Sequence, residues 1–292
     1  MEYLLHLLIL VGIYIMLSQS LSLSISYGGM ISLAQAGFYG IGAYTTALLS
    51  VNYGVPFLLN LLVAVLLSGI LALIVSTIAL RTVDQYFIVC TMGIQVVIFS
   101  LMNNWTSLTR GSFGIPGIPS IQLFGAAIEN RLNFLLLTLF FVVLVFFFLK
   151  KLTASSFGRT LRALSEDEIF TQSLGKNVYL TKIIAFTLSA MIAAIPGTLY
   201  AHYIRYIDPM SFTINESIFI LAIVIIGGRH KLWGCVIASV VLVLLPEALR
   251  FIGMPSAVAA NVRQIIYGGM LIIMMFISSK ETTLKELKIC TK

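Results

Sequence analysis

The sequence contains very few charged residues for its length. Asp, Glu, Lys and Arg make up 10% of its 292 residues, hydrophobic residues make up 59%, and the mean hydropathy is +1.03. Soluble domains carry about 25% charged residues, so this composition predicts an integral membrane protein. The formal net charge of +7 does not indicate nucleic-acid binding, because the basic residues border apolar runs, where membrane topology accounts for them.

Motifs that carry chemistry are also absent from the sequence. Its three cysteines are far apart and show no spacing typical of a zinc site or a disulfide framework: Cys90, Cys235 and Cys290. There is no GxxxxGK[ST] phosphate-binding loop, no HExxH pair and no nucleophile elbow. We therefore expect a chain that is not an enzyme, that binds no metal or cofactor and that does not itself hydrolyse ATP.

Long apolar runs dominate the rest of the chain. A membrane-spanning helix needs about 20 mostly apolar residues. This criterion predicts about nine spans (eight to ten), at residues 5–26, 31–50, 57–80, 87–103, 133–149, 183–204, 215–228, 232–251 and 264–279. The first run lacks the basic start of a signal peptide, so we expect it to be retained. The seventh run is short, with 14 residues, and fits either a tilted helix or a re-entrant half-helix.

One long polar segment, residues 150–182, interrupts the apolar runs. Phe157, Leu161 and Leu164 recur within it at i, i+4 and i+7, which predicts a short amphipathic helix, and Gly175 is typical of a helix stop. The apolar stripe could pack on the bundle of this chain or lie in the lipid interface. Alternatively, the helix could dock onto a cytoplasmic partner, and the sequence pattern leaves both open.

Basic residues assign this polar segment to one side of the membrane. It contains six of the eighteen Lys and Arg residues, and clusters of such residues near span ends stay in the cytoplasm. With residues 150–182 in the cytoplasm and nine alternating spans, thirteen basic residues are cytoplasmic and five are outside. This distribution predicts a multi-pass cell-membrane protein with its N-terminus outside and its C-terminus in the cytoplasm.

Small residues line one face of the second predicted span. They recur at i, i+4, i+7 and i+11: Ala36, Gly40, Ala43 and Ala47. Such stripes let helix backbones approach each other closely in lipid. The same stripe could instead leave room for a translocation path that Gln35 lines, since polar side chains at membrane depth are often functional.

The segment 104–132 is predicted to be an outer loop. The run TRGSFGIPGIPS within it holds glycines and prolines that favour turns and exclude a helix, and long loops on compact proteins are often functional. Glu216 opens the seventh predicted span. It is interpreted either as an acid favoured by the helix dipole or as a contact for a substrate or an outer partner. No acid–base pair is expected in the middle of a span.

Several stretches of the sequence resemble one transporter family. They are SYGGMISLAQAGFYGIGAYTTALL (26–49), the block GRTLRALSEDE with LGKN (158–177), AFTLSAMIAAIPGTLYA (185–201), and PMSFTINESIFILAIVIIGG continuing to LLPEALR (209–250). In this order they are similar to permease subunits, the M type in particular, of branched-chain amino-acid ABC importers. The resemblance covers nearly the whole chain. His230 departs from the family pattern, which usually has glycine there.

This resemblance implies a fold, a function and partners. The fold is an all-α polytopic membrane protein of the type II-like ABC importer class, with residues 1–292 as a single transmembrane permease domain. The partners are a second homologous permease subunit, two cytoplasmic ATPase subunits that bind ATP and magnesium, an extracytoplasmic solute-binding protein and membrane lipid, with no nucleic acid. The function is import of leucine, isoleucine and valine by alternating access.

The resemblance also implies roles for individual residues. Residues 158–175 correspond to the coupling loop of the family, and the ATPase-coupling positions with their apolar neighbours are Phe157, Gly158, Arg159, Leu161, Arg162, Leu164, Glu166, Glu168 and Gly175. The implied binding-protein contacts lie in the segments 104–120 and 205–216: Arg110, Gly114, Pro116 and Glu216.

Other transporters remain open as alternatives. Permeases for urea or short-chain amides share the family pattern, and a nucleoside-type importer is a more distant relative. A secondary transporter, from a different class, would need ionisable residues in mid-membrane or inverted repeats.

Overall fold

The computed structural model describes residues 2–82, 84–123, 126–128, 130–228, 230–251 and 268–269, and these residues are almost entirely helical. Helix α1 (Glu2–Ser22) continues into one π-helical turn at Leu23–Tyr27. Further helices follow in chain order: α2 (Gln35–Tyr53), α3 (Phe57–Ala79), α4 (Asp84–Asn104), α5 (Thr106–Thr109), α6 (Arg131–Ala154), α7 (Ser156–Glu166), α8 (Glu168–Ser173), α9 (Val178–Ile204), α10 (Ile214–Gly227) and α11 (Leu232–Phe251).

The helices agree with most of the predicted apolar runs. α1, α2, α3, α4, α6, α9, α10 and α11 overlap the first eight runs, and the ninth, 264–279, lies outside the described residues. In the part of the chain that the structure describes, six segments are long and apolar enough to cross a membrane: α1 with its π turn, α3, α4, α6, α9, and α10 with the turn before it. α2 is not one of them, because Gly, Thr, Tyr and Gln lower its hydropathy.

Local signals in the sequence set the helix ends. The Asn130 side chain accepts a hydrogen bond from the Leu132 amide at 3.1 Å and so caps α6. Asn177 caps α9 in the same way, from the Leu180 amide at 3.0 Å. α2 ends at Gly54, whose φ of 60° is the left-handed conformation that glycine adopts without a steric cost.

The bundle has two distinct ends. At the end that carries α7, called the α7 end below, the Arg162 guanidinium carbon lies 5.1 Å from the ring centroid of Tyr27. The Tyr27 hydroxyl donates to the His230 carbonyl oxygen there at 3.0 Å. At the opposite end, called the loop end, Glu2 forms an ion pair with Arg131 at 3.0 Å. The start of α1 therefore lies at the opposite end from the polar segment 150–182.

α2 and α9 form the centre of the bundle. Every residue from Gln35 to Tyr44 is buried. A Cβ atom added at Gly42 would lie 2.5 Å from the Ala194 carbonyl oxygen, and one added at Gly197 would collide with the Tyr39 carbonyl oxygen. Glycine at these positions lets the two backbones touch, which is the usual basis of helix association in lipid.

Short strands close the loop end. β1 (Ile115–Pro116) pairs antiparallel with β4 (Tyr206–Ile207), and β2 (Gln122–Leu123) pairs antiparallel with β3 (Ala126–Ala127). The glycine- and proline-rich run is mostly irregular, as predicted, although Gly111–Phe113 forms one 3₁₀ turn that the sequence interpretation excluded. The β1–β4 pair ties the segment after α4 to the segment after α9.

Candidate functional site

The polar segment 150–182 folds as two helices rather than as one. Ser155 caps α7 by accepting from the Gly158 amide at 3.4 Å, and Asp167 caps α8 by accepting from the Phe170 amide at 2.9 Å. The helix is interrupted between α7 and α8 because the backbone of Asp167 is extended, with φ of −151°. Gly175 has φ of 75° just after α8, which confirms the predicted helix stop.

The apolar stripe of α7 faces the bundle of this chain. Leu161 and Leu164 are buried and Phe157 is half-buried against the same core. A Cβ atom at Gly158 would collide with the Thr153 backbone, so this glycine marks a close approach of α7 to the end of α6. The stripe of α7 therefore lies inward, which favours packing on the bundle of this chain, and the coupling role of these three residues stays a prediction.

The outward surface of α7 and α8 carries the charged residues. The implied coupling positions that are exposed are the charged residues Arg159, Arg162, Glu166 and Glu168, together with Gly175. Glu168 accepts from the Lys182 ammonium at 2.6 Å, which ties α8 to α9. Three exposed apolar side chains on or after α8 are not among the implied coupling positions: Ile169, Phe170 and Leu174, at 80%, 59% and 60% exposure. The sequence feature that points to these side chains is the presence of large apolar residues within a polar segment.

The loop end brings together the two segments expected to contact a binding protein. Arg110 and Pro116 are exposed there. Gly114 is instead buried, and a Cβ atom at this position would collide with the Ile207 carbonyl oxygen. Its φ of 69° also favours glycine, so Gly114 shapes the loop and does not offer a contact surface. Phe113, which the sequence interpretation did not single out, is 84% exposed beside it.

α10 begins inside the bundle rather than at the loop end. After β4 the chain turns inward through a 3₁₀ turn at Pro209–Phe212, where the Gln95 side-chain amide donates to the Phe212 carbonyl oxygen at 2.8 Å. Gln95 lies near the middle of α4, so α10 starts at about mid-depth. Its 14 residues rise about 21 Å. The short seventh run is therefore a half-length helix that leads from mid-depth to the α7 end.

Glu216 lies in the first turn of α10 and is half-buried. The Tyr14 hydroxyl lies 3.1 Å from one oxygen of the Glu216 carboxylate and 3.3 Å from the other. Tyr14 is at the midpoint of the apolar segment Glu2–Tyr27. The expectation that Glu216 contacts an outer binding protein is therefore wrong, because the inward turn before α10 carries this acid to the middle of the bundle.

The start of α2 lies at the same depth as the start of α10. The Ala36 amide donates to the Ser217 hydroxyl at 3.0 Å, and the Gly37 amide donates to the Gln95 side-chain oxygen at 2.6 Å. Gln35 is buried and donates to the Ser20 hydroxyl at 2.6 Å. The two helices thus begin close together and run to opposite ends of the bundle.

The predicted small-residue stripe is buried within this chain. Gly40 faces the Phe212 ring, since a Cβ atom there would lie 3.0 Å from it. The other members of the stripe, and the glutamine beside it, are buried too: Gln35, Ala36, Ala43 and Ala47. This burial supports the packing interpretation of the stripe. Gln95, which joins α2, α4 and the turn before α10, was missed, although it is a polar residue within a predicted span.

Comparison with known proteins identifies the family. The profile of the family described as branched-chain amino acid transport system / permease component matches residues 3–275. The chain belongs to this family. Its membership and its apolar helices indicate a multi-pass membrane protein, and the family consists of transport subunits rather than enzymes.

The names of two relatives of this chain agree with the description of the family. It is 34% identical over 286 residues to the high-affinity branched-chain amino acid transport system permease protein LivM of Salmonella typhimurium and to that of Escherichia coli. Each alignment covers 90% of this chain and 66% of the relative, so the chain spans about two thirds of these proteins. No solved structure matches this chain.

A more distant relative is a permease of a second kind. The high-affinity branched-chain amino acid transport system permease protein LivH of Salmonella typhimurium is 26% identical over 233 residues, which cover 73% of this chain and 74% of that protein. The similarity of this chain to both LivM and LivH indicates that permeases of this family include more than one kind of subunit.

Proposed function

We propose that this chain is the M-type membrane subunit of an ATP-driven importer for branched-chain amino acids. The observation that carries the proposal is the family match over residues 3–275. Leucine, isoleucine or valine crosses the membrane unchanged by alternating access, and separate ATPase subunits bind ATP and magnesium. A second, homologous permease subunit completes the membrane part of the importer.

The architecture that goes with this function is a single transmembrane domain of type II-like fold. Nine spans, of which residues 264–279 supply the ninth, put the N-terminus of the chain outside and its C-terminus in the cytoplasm. The α7 end then faces the cytoplasm and the loop end faces the outside. The opposite positions of the Glu2–Arg131 ion pair and the Arg162–Tyr27 contact support this arrangement.

The α7–α8 segment is the surface that docks onto the ATPase subunits. Its exposed charges steer and orient the partner, while apolar anchors in such interfaces supply most of the binding energy. Those anchors are the exposed residues Ile169, Phe170 and Leu174. Leu161 and Leu164 have a different role: they fix α7 to the bundle, so that movement of the ATPases is passed to the membrane helices.

The loop end receives the solute-binding protein. β1 and β4 hold the segments after α4 and after α9 side by side. Arg110 and Pro116 are exposed on this surface, together with the large apolar side chains of Phe113 and Met210 at 84% and 63% exposure. An exposed apolar patch with a charged rim is typical of a protein-binding surface.

Reconstitution tests the proposed function. The chain is assembled with its candidate partner permease and ATPases, and ATP hydrolysis is measured as solute-loaded binding protein is added. We expect stimulation by leucine, isoleucine or valine and none by urea. Stimulation by urea or an amide alone would keep the architecture and change the substrate, and failure to assemble with any ATPase would contradict the importer assignment.

A further inference from the structure

We infer that the contact between α1 and α6, called the α1–α6 seam below, opens during the transport cycle and that Gln19 is the polar group of α1 that the open seam exposes to water. The inference rests on the proposed function, because alternating access requires helix contacts that open and close. It gives a role to a buried residue that belongs neither to the ATPase-docking surface nor to the binding-protein surface.

The side chain of Gln19 is buried without hydrogen-bond partners. It lies in the last turn of α1 with no exposed surface. Among the described residues, neither its amide nitrogen nor its side-chain oxygen has a partner. Two other buried glutamines of the bundle, Gln35 and Gln95, both donate hydrogen bonds. An amide buried without partners destabilises the conformation that buries it, so a conformation in which Gln19 meets water would relieve this cost.

Gln19 lies on the face of α1 that meets α6. Gly12 precedes it by seven residues, nearly two helical turns, and a Cβ atom at Gly12 would lie 2.7 Å from the Thr138 side chain of α6. Both helices start at the loop end and run side by side in the same direction. The part of α6 next to Gln19 is therefore within residues 139–149, LFFVVLVFFFL, which contain no polar side chain. The closed seam offers the Gln19 amide no side-chain partner on α6.

Helix α6 is tied less firmly to the other long helices than they are to one another. In the part of the chain that the structure describes, its one polar contact with another long helix is the exposed ion pair between Arg131 and Glu2, and exposed pairs add little stability. Hydrogen bonds join α1 to α2, α9 and α11, α2 to α4, α9 and α10, and α3 to α9. The remaining contacts of α6 are apolar or aromatic, such as Phe146 with Trp233. α6 can therefore move without breaking hydrogen bonds between helices.

Helix α6 also leads directly into the proposed ATPase-docking segment. It ends at Ala154 and α7 begins at Ser156, so one residue separates the two helices. Gly158 lets the start of α7 approach the backbone of Thr153 closely. The end of α6 therefore follows movement of α7, and movement of the ATPases is passed to α6 along the chain.

A disulfide across the α1–α6 seam tests whether the seam must open. Cβ atoms at Gly12 and Thr138 would lie 3.9 Å apart, a separation that suits a disulfide. Thr138→Cys also removes the methyl group that a side chain at position 12 would meet. In a chain whose own cysteines are replaced, oxidation of Gly12→Cys/Thr138→Cys should lower leucine uptake by the assembled importer about tenfold or more, because it holds one conformation. Reduction should restore uptake.

The matched control is Thr46→Cys/Thr198→Cys, which joins α2 to α9 at the closely packed centre. The two hydroxyl oxygens lie 3.1 Å apart there, and the oxidised control should transport as its reduced form does. Loss of free thiols verifies each disulfide. If the wild-type importer takes up leucine and Gly12→Cys/Thr138→Cys transports equally when oxidised and reduced, the inference is overturned and the proposed function stands. If the wild-type importer takes up no leucine, the proposed function fails, and the role of the seam in transport fails with it.

Replacement of Gln19 tests the cost of burying its amide. Gln19→Leu keeps a side chain of similar size and removes the unpartnered polar atoms, so the midpoint of thermal denaturation in detergent should stay unchanged or rise. Leucine uptake should fall, because the open seam loses its polar group. A lower midpoint would show that the amide has partners in the closed seam and would overturn the inference, as would a raised midpoint with wild-type uptake.

Cysteine labelling tests whether water reaches position 19 without relying on transport. In the importer assembled with its ATPases, with the other cysteines of this chain replaced, Gln19→Cys should react with a charged, water-borne methanethiosulfonate in one nucleotide state, with ATP or without it. Leu17→Cys is the matched control, because Leu17 is equally buried on another face of α1 and should stay unreactive in both states. Gln19→Cys that remains as unreactive as Leu17→Cys, with and without ATP, would overturn the opening of the seam.

Discussion

Gly42 is a position where a single methyl group has no room. A Cβ atom there would lie 2.5 Å from the Ala194 carbonyl oxygen, a backbone atom that cannot rotate away. We expect Gly42→Ala to destabilise the bundle by about 1–3 kcal/mol, as overpacked cores generally do. The midpoint of thermal denaturation in detergent measures the effect.

Gly93 in α4 provides the control for this prediction. A Cβ atom at Gly93 meets no other atom within 4 Å, so Gly93→Ala should leave the midpoint unchanged or raise it, since alanine is favoured over glycine in helices by about 1 kcal/mol. Equal midpoints for the two alanine variants would contradict the close packing of α2 on α9.

The sequence predicted small residues at this contact but not the residue that makes it. Periodicity singled out Gly40 on one face of the second span, whereas Gly42 on another face touches α9. A stripe shows which residues share a face of one helix, and only the packed structure shows which face meets a neighbour. His230 stands where the family pattern usually has glycine. Its φ of 59° lies in the left-handed region that glycine adopts most readily.

At the scale of elements, the two helices of the polar segment differ in where their apolar side chains lie: those of α7 face the bundle and those of α8 are exposed. Leu164 is 4% exposed and Phe170 is 59% exposed. We expect Leu164→Ala to lower the stability of the isolated subunit by about 2–5 kcal/mol, because it leaves a cavity in the core. Phe170→Ala should change stability by less than about 0.5 kcal/mol but weaken co-purification with the ATPases. The opposite pattern would show that α7, and not α8, presents the apolar docking contacts.

The charges of α7 provide a second prediction at this scale. Arg162→Glu combined with Glu166→Lys keeps the net charge of the helix and reverses its pattern, and it also removes the Arg162 contact with Tyr27. Because charged groups at an interface orient the partner, we expect leucine uptake to be lost while the subunit still inserts into the membrane. Wild-type uptake by this double variant would remove the docking role of α7.

Helix α10 shows where prediction of elements from sequence stops. The run 215–228 was predicted to be unusually short, and the helix is Ile214–Gly227. What the run could not show is that its first residues lie at mid-depth, because that depends on the hydrogen bond from Gln95 to Phe212, two residues far apart in the chain. Glu216 was therefore interpreted as an outer contact, although its side chain bonds Tyr14 in the middle of the bundle.

At the scale of the whole molecule, the described basic residues concentrate at one end. The α7 end carries Arg81, Lys150, Lys151, Arg159, Arg162, Lys176, Lys182 and Lys231, and the loop end carries Arg110, Arg131 and Arg205. Loops rich in Lys and Arg stay in the cytoplasm. The same imbalance was predicted from sequence alone, because it needs only the order of the spans and no knowledge of how they pack.

Labelling of single cysteines tests the orientation that this imbalance predicts. Ser112 in the loop segment and Gln172 in α8 are both exposed, and each is replaced by cysteine in a chain whose own cysteines have been replaced. With a membrane-impermeant maleimide on intact spheroplasts, we expect Ser112→Cys to be labelled at once and Gln172→Cys only after the membrane is permeabilised. The reverse order would put the α7 end outside, where no ATPase could reach it, and the coupling role of the whole segment 150–182 would fall with it.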